Sequence, residues 1–113
     1  MPIDQKSNAI GLRFVMGTHT TMIKWYLKKI GATLPLHFHP NEQINYVEQG
    51  KVEVHSQGDT YTLSKGQVIV FPPNVPHEFV ALTNDTILVD IQTPARQEFI
   101  NGEFDKVAKL IFK

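Results

Sequence analysis

The chain has no cysteine. Disulfide frameworks, thiolate zinc sites, iron–sulfur clusters and thiol nucleophiles are therefore excluded together. It has no charge excess either, since eleven Lys and Arg balance eleven Asp and Glu. A dedicated nucleic-acid binder would carry a basic surplus, and so would a chain held to an anionic membrane by charge. No apolar run approaches the roughly 20 residues of a membrane helix. Met1 to Ile10 contains no stretch resembling a signal peptide. These absences make a cytoplasmic protein, with neither nucleic acid nor membrane as partner, the expectation.

What remains is a 113-residue chain that is 42% hydrophobic, with five histidines. That length suits one domain spanning residues 1–113. If it binds a transition metal, nitrogen and oxygen must do so without sulfur.

The periodicity is that of strands. In Thr21 to Lys29, Ile23, Trp25 and Leu27 fall on one face, with Lys24 and Lys28 on the other. Ile44 to Glu48 is a second run. After Gly50, Val52 and Val54 point in while Glu53 and His55 point out. Gln57-Gly58-Asp59 signals a hairpin turn, with Thr60 to Leu63 returning. Gln67 to Phe71 is apolar on both faces and reads as a buried strand. Pro72, Pro73 and Pro76 end it, because proline cannot donate to a ladder. His77 to Ala81 and Ile87 to Gln92 complete seven or eight short strands, the pattern of an all-β sandwich or barrel. The tail, residues 98–113, reads equally as a short helix or a last strand.

Two histidines, His37 and His39, flank Phe38. On a strand, residues two apart share a face, so both imidazoles would converge. Gln43 follows after a turn at Pro40-Asn41, and His77 comes after the proline-rich turn. Glu42 neighbours Gln43 but is out of phase with the histidines. Five residues separate Gly31 from His37, three separate His39 from Gln43, and six separate Gln43 from Gly50. A second block has five residues from Gly66 to Pro72, one more before Asn74, and two before His77.

Both blocks, in register, resemble the two motifs of the cupin family, Gly…His-x-His…Glu…Gly and Gly…Pro-x-Gly…His…Asn. The resemblance implies a single-domain cupin β-barrel, a double-stranded β-helix or jelly roll, with its motifs within residues 31–81. Three positions depart from the pattern. Gln43 stands where it has glutamate, Asn74 where it has the second-motif glycine, and Ala81 where it has the final asparagine. Asparagine also tolerates left-handed turns. The resemblance makes His37, His39, Gln43 and His77 the ligands of one divalent metal ion. Mn, Fe, Ni, Zn and Co are not distinguished. A neutral glutamine oxygen would leave the ion its full charge and make it a stronger Lewis acid. His19 and His55 read as bystanders.

Asp90 shares one strand face with Leu88 and Gln92. A carboxylate inside an apolar strand is costly unless paired or functional. Arg96 follows closely, near enough to pair with Asp90 or to meet a substrate carboxylate. The run Glu42-Gln43-Ile44-Asn45-Tyr46-Val47 and the stretch from Asp90 to Phe99 are similar to small cupins of the pectin-degradation type, which linearise unsaturated uronates. In that group a metal held by three histidines and a glutamine works beside an aspartate and an arginine. Here those are Asp90 and Arg96. That group also has an aromatic residue two after the aspartate, where this chain has Gln92. The implied function is metal-dependent ring opening or isomerisation of a small sugar acid. An iron-dependent dioxygenase and a non-catalytic ligand- or metal-binding cupin are the alternatives. Trp25, Phe79 and Tyr46 read as core more than as pocket wall. A homodimer is expected by the same resemblance. The apolar run Ile10 to Met16 suits pairing with a neighbouring chain.

Overall fold

Alternation in Thr21–Leu27 buries Ile23, Trp25 and Leu27 and leaves Met22 at the surface. The same period of two recurs along the chain, giving ten strands among the described residues of a computed structural model, which describes residues 4–7 and 9–96. They are β1 (Asp4–Ser7), β2 (Ile10–Met16), β3 (Thr21–Leu27), β4 (Thr33–His37) and β5 (Glu42–Gln49). β6 (Lys51–Ser56), β7 (Asp59–Ser64), β8 (Val68–Phe71), β9 (His77–Ala81) and β10 (Thr86–Thr93) follow. The tail, residues 98–113, lies outside the described residues.

Two sheets face each other as a jelly-roll barrel. One runs β1-β2-β3-β10-β5-β8 and the other β4-β9-β6-β7. Every pairing is antiparallel. The β6–β7 hairpin closes through Gln57 and Gly58, both with positive φ, as a two-residue turn requires.

The register grades the interior from apolar to polar. Leu12, Trp25, Leu88 and Val47 form one inward row across β2, β3, β10 and β5. The next row is Phe14, Ile23, Asp90 and Asn45, and the third is Met16, Thr21, Gln92 and Gln43. On the facing sheet, Val52 opposes Ala81, and Val54 and Leu34 flank Phe79. The row beyond them pairs His37 with His77. Packed hydrocarbon therefore fills one end of the barrel, and polar side chains gather at the other.

The strand β4 contains a bulge that makes this possible. Leu34 opposes Phe79 and His37 opposes His77, so Pro35 and Leu36 on β4 stand against Glu78 alone on β9. Pro35, which has no N–H to offer the ladder, sits at the irregularity. Leu36 is turned out, and His37 recovers the inward phase.

One expectation is corrected. Val68–Phe71 is not buried on both faces. β8, an edge strand, alternates, so Ile69 and Phe71 face the interior while Val68 and Val70 are exposed. In the run Ile10–Met16, Ile10 and Leu12 pair with β1, and the whole run pairs with β3.

Candidate metal centre

Three imidazoles converge at the polar end. His37 comes from the end of β4, His39 from the loop after it, and His77 from the start of β9. One nitrogen of each lies within 4.8 Å of the others. Ring centroids are 4.5 Å apart for His37 and His77, and 5.4 Å for His39 and His77. The backbone N–H of Asn74 donates to the carbonyl of His39 at 2.8 Å, tying the two motif loops together. Asn74 has a φ of 65°, so the residue in the glycine position takes the left-handed turn.

Each ring is oriented before any ion arrives. His37 Nδ1 donates to the Pro35 carbonyl at 2.7 Å, and His77 Nδ1 donates to the Val75 carbonyl at 2.9 Å. Those bonds leave the Nε2 lone pairs free. His77 Nε2 and His39 Nδ1 are buried and have no hydrogen-bond partner. Buried polar atoms are otherwise almost always satisfied.

Burial lowers all three histidine pKa values, His39 to about 4 and His77 to about 3, and the nearby Arg96 pushes in the same direction. The cluster is therefore neutral at physiological pH, as metal ligands must be. Three neutral imidazoles, two of them with a buried nitrogen lacking a partner, fit a divalent transition ion.

The remaining site residues named from the sequence lie beside this cluster. Gln43 is fully buried while Glu42 is exposed, and Gln43 Oε1 lies 2.7 Å from His39 Nε2. Asp90 is buried and accepts from the Trp25 indole nitrogen at 2.9 Å and from the Asn45 amide. Desolvation raises its pKa to about 7 against the opposing effect of these donors and of Arg96. Arg96, also buried, donates from Nη1 to Gln92 Oε1 at 3.0 Å, and Gln92 Nε2 reaches Asp90 Oδ2 at 3.5 Å. Gln92 thus bridges the two charged side chains. His19 is exposed, and His55 lies on the outer surface between Glu53 and Glu78.

Sequence reasoning missed two participants. Trp25 is core by burial, yet its N–H serves Asp90. Asn45 was passed over, although it shares the phase of Gln43 and Val47 on β5. Two polar residues on an inward strand face were the available signal.

Comparison with known proteins agrees with the fold. The family model of the cupin domain matches residues 25–91. Among the curated proteins none matches. The solved structure of KdgF from Halomonas sp. is similar, with a TM-score of 0.81 and 28% identity over 88% of this chain and 91% of that one. An RmlC-like cupin from Shewanella frigidimarina has a TM-score of 0.78 and 28% identity, covering 87% of each chain. The DMSP lyase DddQ from Ruegeria pomeroyi, at 18% identity and a TM-score of 0.68, shares the fold over 76% of this chain and 47% of that one.

Proposed function

This chain belongs to the cupin family, and on that premise we propose that it is a metal-dependent enzyme that opens the ring of a small unsaturated sugar acid. One observation carries the reading. A buried carboxylate with a pKa near 7 stands beside a triple-histidine cluster and a buried arginine. A group poised near neutral pH is suited to taking and returning a proton.

In this reading His37, His39, His77 and Gln43 hold one divalent ion. That ion, when bound, supplies Lewis acidity toward a substrate oxygen. The chain's own residues do the rest. Arg96 receives the substrate carboxylate. Asp90 takes the proton of the anomeric hydroxyl. The ring C–O bond breaks as the carbonyl forms, and the proton returns to the former ring oxygen. The step is an isomerisation and needs no co-reactant. Trp25 and Asn45 hold the Asp90 carboxylate in one orientation throughout.

The choice of substrate class rests on the similarity of Glu42–Val47 and Asp90–Phe99 to the uronate-linearising cupins. The likeness to KdgF over nearly the whole of both chains supports it. Gln92, where that group has a ring, directs the polar link between Arg96 and Asp90.

The test is incubation of metal-replete protein with an unsaturated uronate, following loss of the anomeric proton signal by NMR. The expected result is acceleration over the spontaneous rate. No acceleration would overturn the assignment. Oxygen consumption by iron-loaded protein would move it to a dioxygenase.

The reading includes a homodimer. Its support is the outward row Val15, Met22, Ile91, Ile44 and Val70, which the register aligns across five strands. A monomeric mass in sedimentation would overturn that part.

A further inference from the structure

Glutamine is an ambiguous metal ligand, because its amide can present oxygen or nitrogen to a cation. Only the oxygen has a lone pair to give. Something must fix the amide, and the packing around Gln43 contains such a device. Gln43 Nε2 donates to Asn45 Oδ1 at 2.7 Å. Asn45 in turn directs its own NH2 at strand β10, toward the Val89 carbonyl at 3.3 Å and toward Asp90 Oδ1. A backbone carbonyl can only accept, so the Asn45 NH2 must face β10. Its Oδ1 must then face Gln43. The Gln43 NH2 is drawn to that oxygen, and Gln43 Oε1 is left facing the histidines, 2.7 Å from His39 Nε2. Gln43 and Asn45 are both fully buried, so water does not compete for these positions.

From this chain of donors and acceptors we infer that Asn45 is a positioning residue, which sets the Gln43 amide so that its oxygen faces the metal. The inference rests on the metal reading above and extends it to a residue that touches no ion. It also couples the metal site to Asp90 through one side chain, because the amide that orients Gln43 also donates to the carboxylate.

The test uses Co²⁺ as probe, with affinity measured by chelator competition and coordination followed by visible absorption. Asn45→Leu keeps approximate volume and removes the polar relay. It should weaken Co²⁺ binding by roughly 10- to 100-fold, the usual effect of losing an outer partner of a ligand. The same substitution in a Gln43→Glu background should cost little, since a carboxylate presents oxygen whichever way it turns. An equal loss in both backgrounds would mean general disruption and would overturn the inference. So would wild-type affinity and spectrum in Asn45→Leu. If Asn45→Leu does not fold, Asn45→Ala, which adds no bulk, is read by the same pair of backgrounds. Absence of Co²⁺ binding by the wild type is a separate result. It would overturn the metal reading itself, and this inference with it.

Discussion

The indole nitrogen of Trp25 donates to Oδ2 of Asp90 at 2.9 Å, joining β3 to β10 inside the barrel. This bond opposes desolvation, the largest influence on Asp90, and helps keep its pKa near 7. Trp25→Phe preserves most of the packed ring and deletes the donor. The pKa of Asp90 should rise, and the acidic limb of the pH–rate profile should move upward by about one unit, equivalent to a hydrogen bond of roughly 1.5 kcal/mol to a charged group. Turnover would fall at neutral pH and recover in alkali. A profile that stays in place would refute the role.

Asp90→Asn removes the proton acceptor while retaining volume. Turnover of an unsaturated uronate should fall by roughly 10²- to 10⁴-fold, the scale of a general acid–base contribution. Bound metal, measured by elemental analysis, should survive, because Asp90 is not among the proposed ligands. Unchanged turnover would sink the assignment of Asp90.

The same substitution changes how stability depends on pH. Folding raises the Asp90 pKa from 3.8 to about 7, so its contribution is fully present below pH 3.8 and is lost as pH rises through 7. The histidines act oppositely. Their folded values, about 4 for His39 and about 3 for His77, lie below 6.5, so stability is lost as pH falls from 6.5 through those values. In chelator-treated protein, Asp90→Asn should therefore gain on the wild type between about pH 4 and pH 7 and level off above that. Melting temperatures across that range, with a constant offset between the two proteins, would contradict this.

Protein purified without chelator should carry close to one divalent ion per chain. His77→Ala should reduce that to near zero, with affinity weakened by more than the roughly 10- to 100-fold typical of an outer partner. Elemental analysis finding no metal in the wild type would remove the site assignment.

Gly50 has a φ of 82°, and a Cβ there would lie 2.5 Å from the hydroxyls of both Thr83 and Thr86. Gly50→Ala should cost about 1–3 kcal/mol through strain and overpacking together. Gly58, with a φ of 81° and open space around it, incurs only the backbone cost. Gly50→Ala should thus melt below Gly58→Ala, and the reverse order would show that the threonine contact yields freely.

The spacing of His37, His39 and His77 was legible as a motif, although β4 ends at His37 and it is the loop after it, not a strand's period of two, that carries His39. Asn45 and Trp25 were not legible in their roles, because each acts through a residue far along the chain, Asp90, that only the sheet register brings near. The edge position of β8 was hidden for a related reason. A Val-Ile-Val-Phe run is equally apolar at a sheet's centre or margin, and which one applies depends on where the other strands stop. β4 was obscured by Pro35, which breaks the pattern of a strand while serving one.

The bulge at Pro35 and Leu36 makes chain length a component of the site. Leu36 is turned away from the interior, with 62% of its surface exposed. As a spacer it can be exchanged for many residues, but it cannot be removed. Deleting one residue there would turn His37 outward while leaving every proposed ligand in the sequence. In this stretch the metal centre is written as a count of residues more than as their identity.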